Sequence, residues 1–286
     1  MSTRPRVLLA TFQLMPQGEE GGHLLVAELE QRGIEAAWAV WDDPAVDWAA
    51  ADLVAVRATW DYHRRLGEFL DWARATAAVT TVLNGPDVFA WNAVKDYLVG
   101  LGEDVAVVPT VPLDDRTLVP VLTEVTQRWG SAVVKPATGA GGVGVVVATG
   151  PLDPVLEQLT AGPWVAQPLV ESVRTRGETS VFVLEGRAVV QVEKVPAAGE
   201  IRVHGHLGGT TRGVPVAEQA GAVAEAAVRA AAARHAADLA YARVDLLEHE
   251  GRLVVSELEL IEPGLYLEVD TAMAARFADL VAARLR

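Results

Sequence analysis

Cysteine is absent from the 286 residues. That excludes disulfides, cysteine-ligated zinc, iron–sulfur clusters and a thiol nucleophile. No apolar run approaches the roughly 20 residues that a membrane-spanning helix needs. The N-terminal MSTRPRVLLATFQLMPQGEE has an apolar centre of only about seven residues and no small-residue cleavage pattern. The expectation is a soluble cytoplasmic protein whose first apolar run is a strand, not a signal peptide. Cations are scarce: 24 Lys and Arg stand against 38 Asp and Glu, a net charge of −14, with a pI near 4.9. Such a surface repels nucleic acid and anionic membranes, so neither is expected as a partner. If an acidic protein of this kind takes a polyanion, it needs local cations or a metal. Internal repeats and low-complexity linkers are also missing. What is present, 51% hydrophobic and 22% charged, is ample for one large domain or two to three smaller ones.

Strands alternate with helices along the first third: strands at 6–12, 35–41, 53–57 and 81–83, helices at 23–31 and 66–77. This pattern predicts an open α/β sheet, with ligands met at the loops that follow strand ends. The loop Arg57-Ala58-Thr59-Trp60-Asp61-Tyr62 is one of these; the alternative is a loop anchor packed on a helix. A single helix is expected over 87–100, carrying Trp91, Asn92, Lys95 and Tyr97. Pro109 and Pro112 bracket a connector. A second unit reads helix 118–129, strand 131–135, loop PATGAGGVG, strand 143–148, helix 154–159 and strand 164–167. A third reads strands 180–184 and 188–195, a loop over 196–214, a helix over 216–239, a hairpin, and a closing helix from about Thr271.

That hairpin, YARVDLLEHEGRLVVSELELIE, holds the most chemistry. Side chains alternate across a strand, so Arg243 and Asp245 share one face, as do Glu257 and Glu259 on the return strand. Burying three carboxylates together without partners costs several kcal/mol. A divalent cation removes that cost, and hard oxygen ligands suit Mg²⁺ shared with phosphates. The plain alternative is an exposed, acid-rich strand face.

Gly139-Ala-Gly141-Gly-Val-Gly144 matches G-x-G-x-x-G. A dinucleotide fold needs a helix to start inside that motif, but here it runs into Val145-Val146-Val147, a β-branched run that continues as a strand. A strand–glycine loop–strand flap lying over phosphates fits instead, since glycines let backbone N–H groups approach the oxygens; a flexible β-turn is the alternative. No GK[ST] follows, so it is not a P-loop, and the HRD and DFG motifs of protein kinases are missing. Lys135, on the apolar strand AVVKP, needs a partner, and phosphate is the obvious one. Lys95 and Lys194 are further candidates against the reading of ordinary surface lysines.

VVKPATGAGGVGV, a hinge strand, then RVDLL and ELELIEPGL in that order resemble the ATP-grasp enzymes, in the branch of D-alanine–D-alanine ligase and glutathione synthetase. The resemblance covers roughly 90–270. Within it, RATWDY, WNAVKDYL, GETSVFV, GEIRVHGHLGG and ELELIEPGLYLE are most similar to the D-cycloserine-forming ligases, which close O-ureido-D-serine into a ring. It implies an α/β (α+β) ATP-grasp fold: an N-terminal open α/β domain (1–88), a central subdomain with the glycine flap (89–172) and a C-terminal subdomain with the metal site (173–286), the latter two sandwiching ATP.

The same resemblance implies roles. Lys95 and Lys135 match lysines that reach the α- and β-phosphates, and Gly139, Gly141, Gly142 and Gly144 match the flap. Gln167, Pro168, Leu169 and Val170 match the hinge that meets adenine. Glu178 matches the acid that holds the ribose, across a longer gap than in D-alanine ligase. Lys194 matches a lysine near the transferred phosphate, and Arg243 the arginine that stabilises developing charge. Asp245, Glu257 and Glu259 match the metal carboxylates, the last often Asn in the family. Arg202 and Gly208-Gly209 lie in the loop that closes over acceptor and phosphate, and Arg57, Thr59, Trp60, Asp61 and Tyr62 are expected to hold the amino-acid substrate. The implied cofactors are ATP and Mg²⁺, two ions, with Mn²⁺ as a possible substitute. The expected partner is a small amino acid derivative, and the expected state a monomer or homodimer. Rival readings are an intermolecular, dipeptide-type ligase and a nucleotide-binding protein without turnover.

Overall fold

The computed structural model describes residues 4–286; Met1, Ser2 and Thr3, which the N-terminal unit was expected to include, lie outside the described residues. Its first sheet is parallel. Strands β1 (Arg6–Thr11), β2 (Glu35–Val40), β3 (Leu53–Ala58) and β4 (Thr81–Val82) lie in the order β2-β1-β3-β4, with helices α1 (Gly22–Gln31) and α2 (Leu66–Ala77) as crossovers. β3 is buried at every position because both its faces are covered, which is why it reads as a continuous apolar run with one arginine.

The helix expected over 87–100 is two helices, α3 (Pro86–Asn92) and α4 (Tyr97–Leu101). The reason for the break is tertiary. The Lys95 backbone N–H donates to the Ala137 carbonyl at 2.7 Å, so it leaves the helical ladder and carries Lys95 to the base of the glycine loop.

The second sheet is antiparallel, in the order β5-β8-β6-β7, from β5 (Val111–Leu113), β6 (Ala132–Pro136), β7 (Val146–Ala148) and β8 (Trp164–Pro168), with α5 (Leu118–Trp129) on one face. Residues 154–158 form a 3₁₀ turn, shorter and tighter than the expected helix. A one-turn helix α6 (Ser172–Thr175) leads to the third sheet. That sheet is also antiparallel, order β11-β10-β9-β12-β13, from β9 (Glu178–Leu184), β10 (Arg187–Val195), β11 (Thr210–Val214), β12 (Tyr241–His249) and β13 (Arg252–Glu259). β11 falls in what read as a loop: TTRGV has no apolar alternation, and as an edge strand it exists by pairing with β10.

Helix α7 (Glu218–His235) lays Ala220, Ala224, Ala227, Val228 and Ala231 on this sheet; the small side chains share one helical stripe and let the helix sit close. Helix α8 (Ala272–Arg284) buries Met273, Phe277 and Val281 in a core shared with Val7, Leu9, Leu25 and Leu29 of the first sheet and Phe182 of the third. The N-terminal unit and the third sheet are therefore packed through one apolar core.

Candidate active site

β13 is an edge strand, and its outward backbone groups need partners. Ala106 and Val108 supply them at Val255, and Asn92 at the C-terminal end: its Nδ2 donates to the Leu258 carbonyl at 2.8 Å and its Oδ1 accepts from Leu260 N–H at 2.8 Å. The Tyr97 hydroxyl accepts from Leu258 N–H at 2.7 Å. These clamps fix the strand that carries Glu257 and Glu259. The hairpin register then places Arg243 opposite Glu259 and Asp245 opposite Glu257, as the alternation requires. A bulge between Asp245 and Leu246 lies beyond both pairs, and Ser256, the extra residue, turns its hydroxyl to the Asp245 carbonyl at 3.0 Å.

The carboxylates are interleaved with cations. Arg243 grips Asp245 with a fork, Nε to Oδ1 at 3.0 Å and Nη2 to Oδ2 at 2.9 Å, and reaches Glu259 at 2.5 Å. Lys194, at the end of β10, bonds Glu178 at 2.5 Å and Asp245 at 3.4 Å. Lys95 bridges Glu257 at 3.0 Å and the Gly139 carbonyl at 3.0 Å, so one ammonium joins the hairpin to the glycine loop. Lys135, on β6, has no bonded anion among the described residues. Burial holds its proton affinity down, and Lys95 adds to this against the pull of Glu257. A cation so placed is ready for an incoming anion.

Burial would raise every acid here, and the neighbours decide the outcome. Arg243 and Lys194 overcome it at Asp245, whose carboxyl stays far below the usual range. Lys95 and Lys135 do the same for Glu257. At Glu259 burial wins over Arg243, and repulsion from Asp245 and Glu257 adds to it, so its carboxyl is pushed up to about 7. Glu178 is raised by burial against Lys194. A raised acid keeps its proton in the folded state after the unfolded chain has lost it. Glu259 therefore withdraws stability as pH climbs from 4.5 to about 7. In EDTA-treated protein, Glu259→Gln should lose less stability than wild type across that window. Urea unfolding of both proteins at several pH values measures it, and parallel curves would refute it.

Among the described residues no three acidic or histidine side chains converge as a ready metal shell. The expected ligands Asp245, Glu257 and Glu259 are turned to Arg243 and Lys95. Their chemistry still fits Mg²⁺: three hard oxygen donors on one face of two paired strands, whose crowding raises Glu259 and would be relieved by a cation.

The glycine loop has the strand–loop–strand form that its sequence implies. It joins the antiparallel β6 and β7, and Gly141, Gly142 and Gly144 have φ of +64°, +72° and +72°, a region closed to most side chains. At Gly142 a Cβ would come within 3.1 Å of His204 Nδ1 and 3.2 Å of Arg202 Cδ, so the flap rests on the 200–204 loop. Arg202 itself is not brought into the cluster: its guanidinium bonds Glu200 at 2.5 Å. Gly208 and Gly209 answer to their own turn, Gly208 at φ +83° and Gly209 with the Val203 carbonyl 2.3 Å from any Cβ. At the hinge, buried Gln167 donates to the Thr110 hydroxyl at 2.9 Å, and Pro168, Leu169 and Val170 run out from the end of β8.

The 57–62 loop splits. Arg57 is a fully buried clip, which removes it from the substrate-facing set: it bonds Glu19 at 3.3 Å, donates to the Pro263 carbonyl, and lies 4.8 Å from the centre of the Phe277 ring. Asp61 is held by Trp41 Nε1 at 2.9 Å and Arg65 at 2.9 Å, an anchor and not an open carboxylate. Trp60 Nε1 donates to the Glu262 carbonyl at 3.1 Å, tying the loop to the end of β13. Tyr62 packs on Phe69 of α2, and its phenol is raised well above its ordinary range by burial and by Glu262, Glu259 and Glu257. Thr59 Oγ1 is buried without a partner.

Sequence reasoning missed several members of this neighbourhood. Ser180 bonds the Asp245 carboxylate; it stands two residues from Glu178 on β9, so alternation alone places it on that face. The Tyr266 ring lies 6.0 Å from Lys194 Nζ and 5.9 Å from the Arg243 guanidinium, with no local pattern to announce it. Glu19 and Glu262 belong to loops and carry no periodicity at all.

A lysine-bearing glycine flap facing a carboxylate hairpin across a hinge strand is the arrangement of nucleotide-dependent ligases. Residues 115–271 match the model of the prokaryotic glutathione synthetase ATP-grasp domain, and residues 7–84 match that of the N-terminal domain of D-cycloserine synthetase DcsG. This chain belongs to the ATP-grasp family and is an ATP-dependent carbon–nitrogen ligase. It is 30% identical over 269 residues to the cycloserine biosynthesis protein DcsG of Streptomyces lavendulae, covering 89% of this chain and 90% of that one. The crystal structure of D-cycloserine synthetase DcsG superimposes with a TM-score of 0.87 at 28% identity, covering 98% of this chain and 100% of that chain. D-alanyl-alanine synthetase A from Vibrio cholerae shares the fold, with a TM-score of 0.70 at 15% identity over 100% of this chain and 98% of that one. No helix among the described residues is long and apolar enough to cross a membrane.

Proposed function

We propose that this ligase closes a small amino acid derivative of the O-ureido-serine type into a ring, as a step of antibiotic biosynthesis. The observation that carries the reading is similarity over both the N-terminal unit and the rest of the chain. The N-terminal residues 7–84, which carry the 57–62 loop, match the cycloserine synthetase model, and the identity to the cycloserine protein runs over 89% of the chain.

The residues divide the work. Lys95, Lys135 and the flap glycines Gly139, Gly141, Gly142 and Gly144 hold the ATP phosphates. Gln167 to Val170 take adenine and Glu178 the ribose. Asp245, Glu257 and Glu259 would hold two Mg²⁺ ions, or Mn²⁺ in their place, which would neutralise phosphate charge in a protein of net charge −14. Arg243 and Lys194 stabilise the charge that spreads over the transferred phosphoryl group, and phosphoryl transfer asks little else of a protein. A carboxylate or ureido carbonyl oxygen of the substrate attacks the γ-phosphorus and ADP leaves. A nitrogen of the same molecule then attacks the activated carbon and displaces phosphate. The 59–62 loop and the Arg202 to Gly209 loop cover the substrate. Units 1–88, 89–172 and 173–286 divide substrate, flap and metal between them. The protein works in the cytoplasm as a monomer or homodimer, without nucleic acid or membrane.

The test is a reaction with ATP, Mg²⁺ and O-ureido-serine alone. ADP, phosphate and a product of ring mass are expected with no second amine present. ADP that appears only when a second amino acid is added would replace this reading with the intermolecular ligase.

A further inference from the structure

Glu262 stands three residues beyond Glu259 and is only 8% exposed. Every other acid of the cluster bonds a cation: Glu178 has Lys194, Asp245 has Arg243 and Lys194, Glu257 has Lys95, Glu259 has Arg243. The Glu262 carboxylate has no hydrogen-bond or ion-pair partner among the described residues. Its backbone, by contrast, is held on three sides. Trp60 Nε1 bonds its own carbonyl at 3.1 Å, Arg57 bonds the Pro263 carbonyl, and Glu19 accepts from Leu265 N–H at 2.6 Å. The fold fixes the position of this carboxylate firmly and leaves its charge unanswered. The buried Tyr62 phenol belongs to the same neighbourhood: after burial itself, Glu262 is the charge that raises it most. Burial drives the Glu262 carboxyl well above the usual range, with Glu259 and Glu257 adding and Lys95 and Arg243 opposing without contact. Ionising this carboxyl in place is costly while it has no cation, and a ligand that brings one removes that cost.

We infer that Glu262 is the subsite for the α-ammonium group of the substrate, with the Tyr62 hydroxyl beside it. This rests on the reading of the protein as an amino acid ligase and extends it to a named contact. The ligand class is a small amino acid with a free, protonated amine, to the exclusion of 2-hydroxy and N-acylated analogues. When the substrate carboxylate is the phosphorylated group, the nitrogen that attacks its carbon and displaces phosphate belongs to the ureido arm. Holding the α-amine as a cation keeps its lone pair occupied and leaves the ureido nitrogen as the nucleophile.

The variant is Glu262→Gln, which keeps the shape and removes the charge. With Mg²⁺ and a non-hydrolysable ATP analogue bound, calorimetry compares O-ureido-serine and alanine with their 2-hydroxy counterparts. Wild type should favour the amines by about tenfold or more, and the variant by less than about threefold. KM for ATP should not move, and Tm should hold or rise. Tyr62→Phe should weaken the discrimination in the same direction. Undiminished discrimination in Glu262→Gln overturns the subsite, as does a loss confined to ATP or Mg²⁺ affinity, which would make Glu262 a metal ligand. Wild type that binds none of the amines overturns it too. If wild type discriminates amines yet releases no ADP with O-ureido-serine, the ring-closing reading falls and the subsite stands. If ADP is released but Glu262→Gln leaves the amine preference unchanged, the reverse holds.

Discussion

Glu257→Gln should lower kcat/KM by about a thousandfold, about 4 kcal/mol of transition-state stabilisation, while leaving the fold in place. Glu257 is where three parts of the site meet. It sits across the hairpin from Asp245, and it bonds Lys95, whose ammonium also holds the Gly139 carbonyl of the flap. The amide of Gln still offers Lys95 an acceptor, so the bridge to the flap survives and Tm should change by only a few degrees. What is lost is a negative charge that Lys95 and Lys135 hold ionised against burial, and that charge is the one a phosphate-bound cation needs. ADP release and a thermal melt on the same preparation give both readouts. Activity within about tenfold of wild type, in a folded variant, would remove Glu257 from the metal site and return the hairpin to a plain acid-rich strand.

The parts of this site that were legible in the sequence are those that obey local rules. Arg243, Asp245, Glu257 and Glu259 could be set on one face because a strand alternates with period two, and the bulge lies past Asp245 where it cannot shift them. The flap could be told from a dinucleotide loop because β-branched residues follow it. The illegible parts are set by contacts distant in sequence. The break at Lys95 comes from the Ala137 carbonyl, and β11 exists through β10. The clip of Arg57 with Glu19 and Pro263 joins segments 38 and 206 residues apart, and no window of local sequence contains it. Arg57 read as a substrate ligand because it opens a loop after a strand end, the ligand side of an open α/β sheet. Here α8 closes over it with Phe277. Asp61 read the same way and is likewise taken up, by Trp41 and Arg65. The consequence for function is that the charged residues of the 57–62 loop, Arg57 and Asp61, are spent on holding the fold.

Arg243→Met should lose both turnover and stability, and the two losses separate under a second substitution. Arg243 is 8% exposed and bonds both oxygens of Asp245 and one of Glu259. Burial works against its charge, but Asp245 and Glu259 more than restore it, so it is a permanent cation between two acids. Removing one member of a buried ion cluster costs about 3–5 kcal/mol, because the partners are left charged and unpaired. Asp245 would keep Lys194 and Ser180, but Glu259 would keep no cation in contact. For a chain of this size that corresponds to a fall in Tm of about 10 °C. Arg243→Lys restores the charge without the fork that fits Asp245, and should recover much of the stability. It should not recover turnover, since one ammonium cannot hold Asp245 and Glu259 and also meet the charge developing on the transferred phosphoryl group. Thermal melts and ADP release on the two variants decide the matter. If Arg243→Met turns over within about tenfold of wild type, the guanidinium is a structural tie between strands, and Lys194 carries the transition-state charge alone.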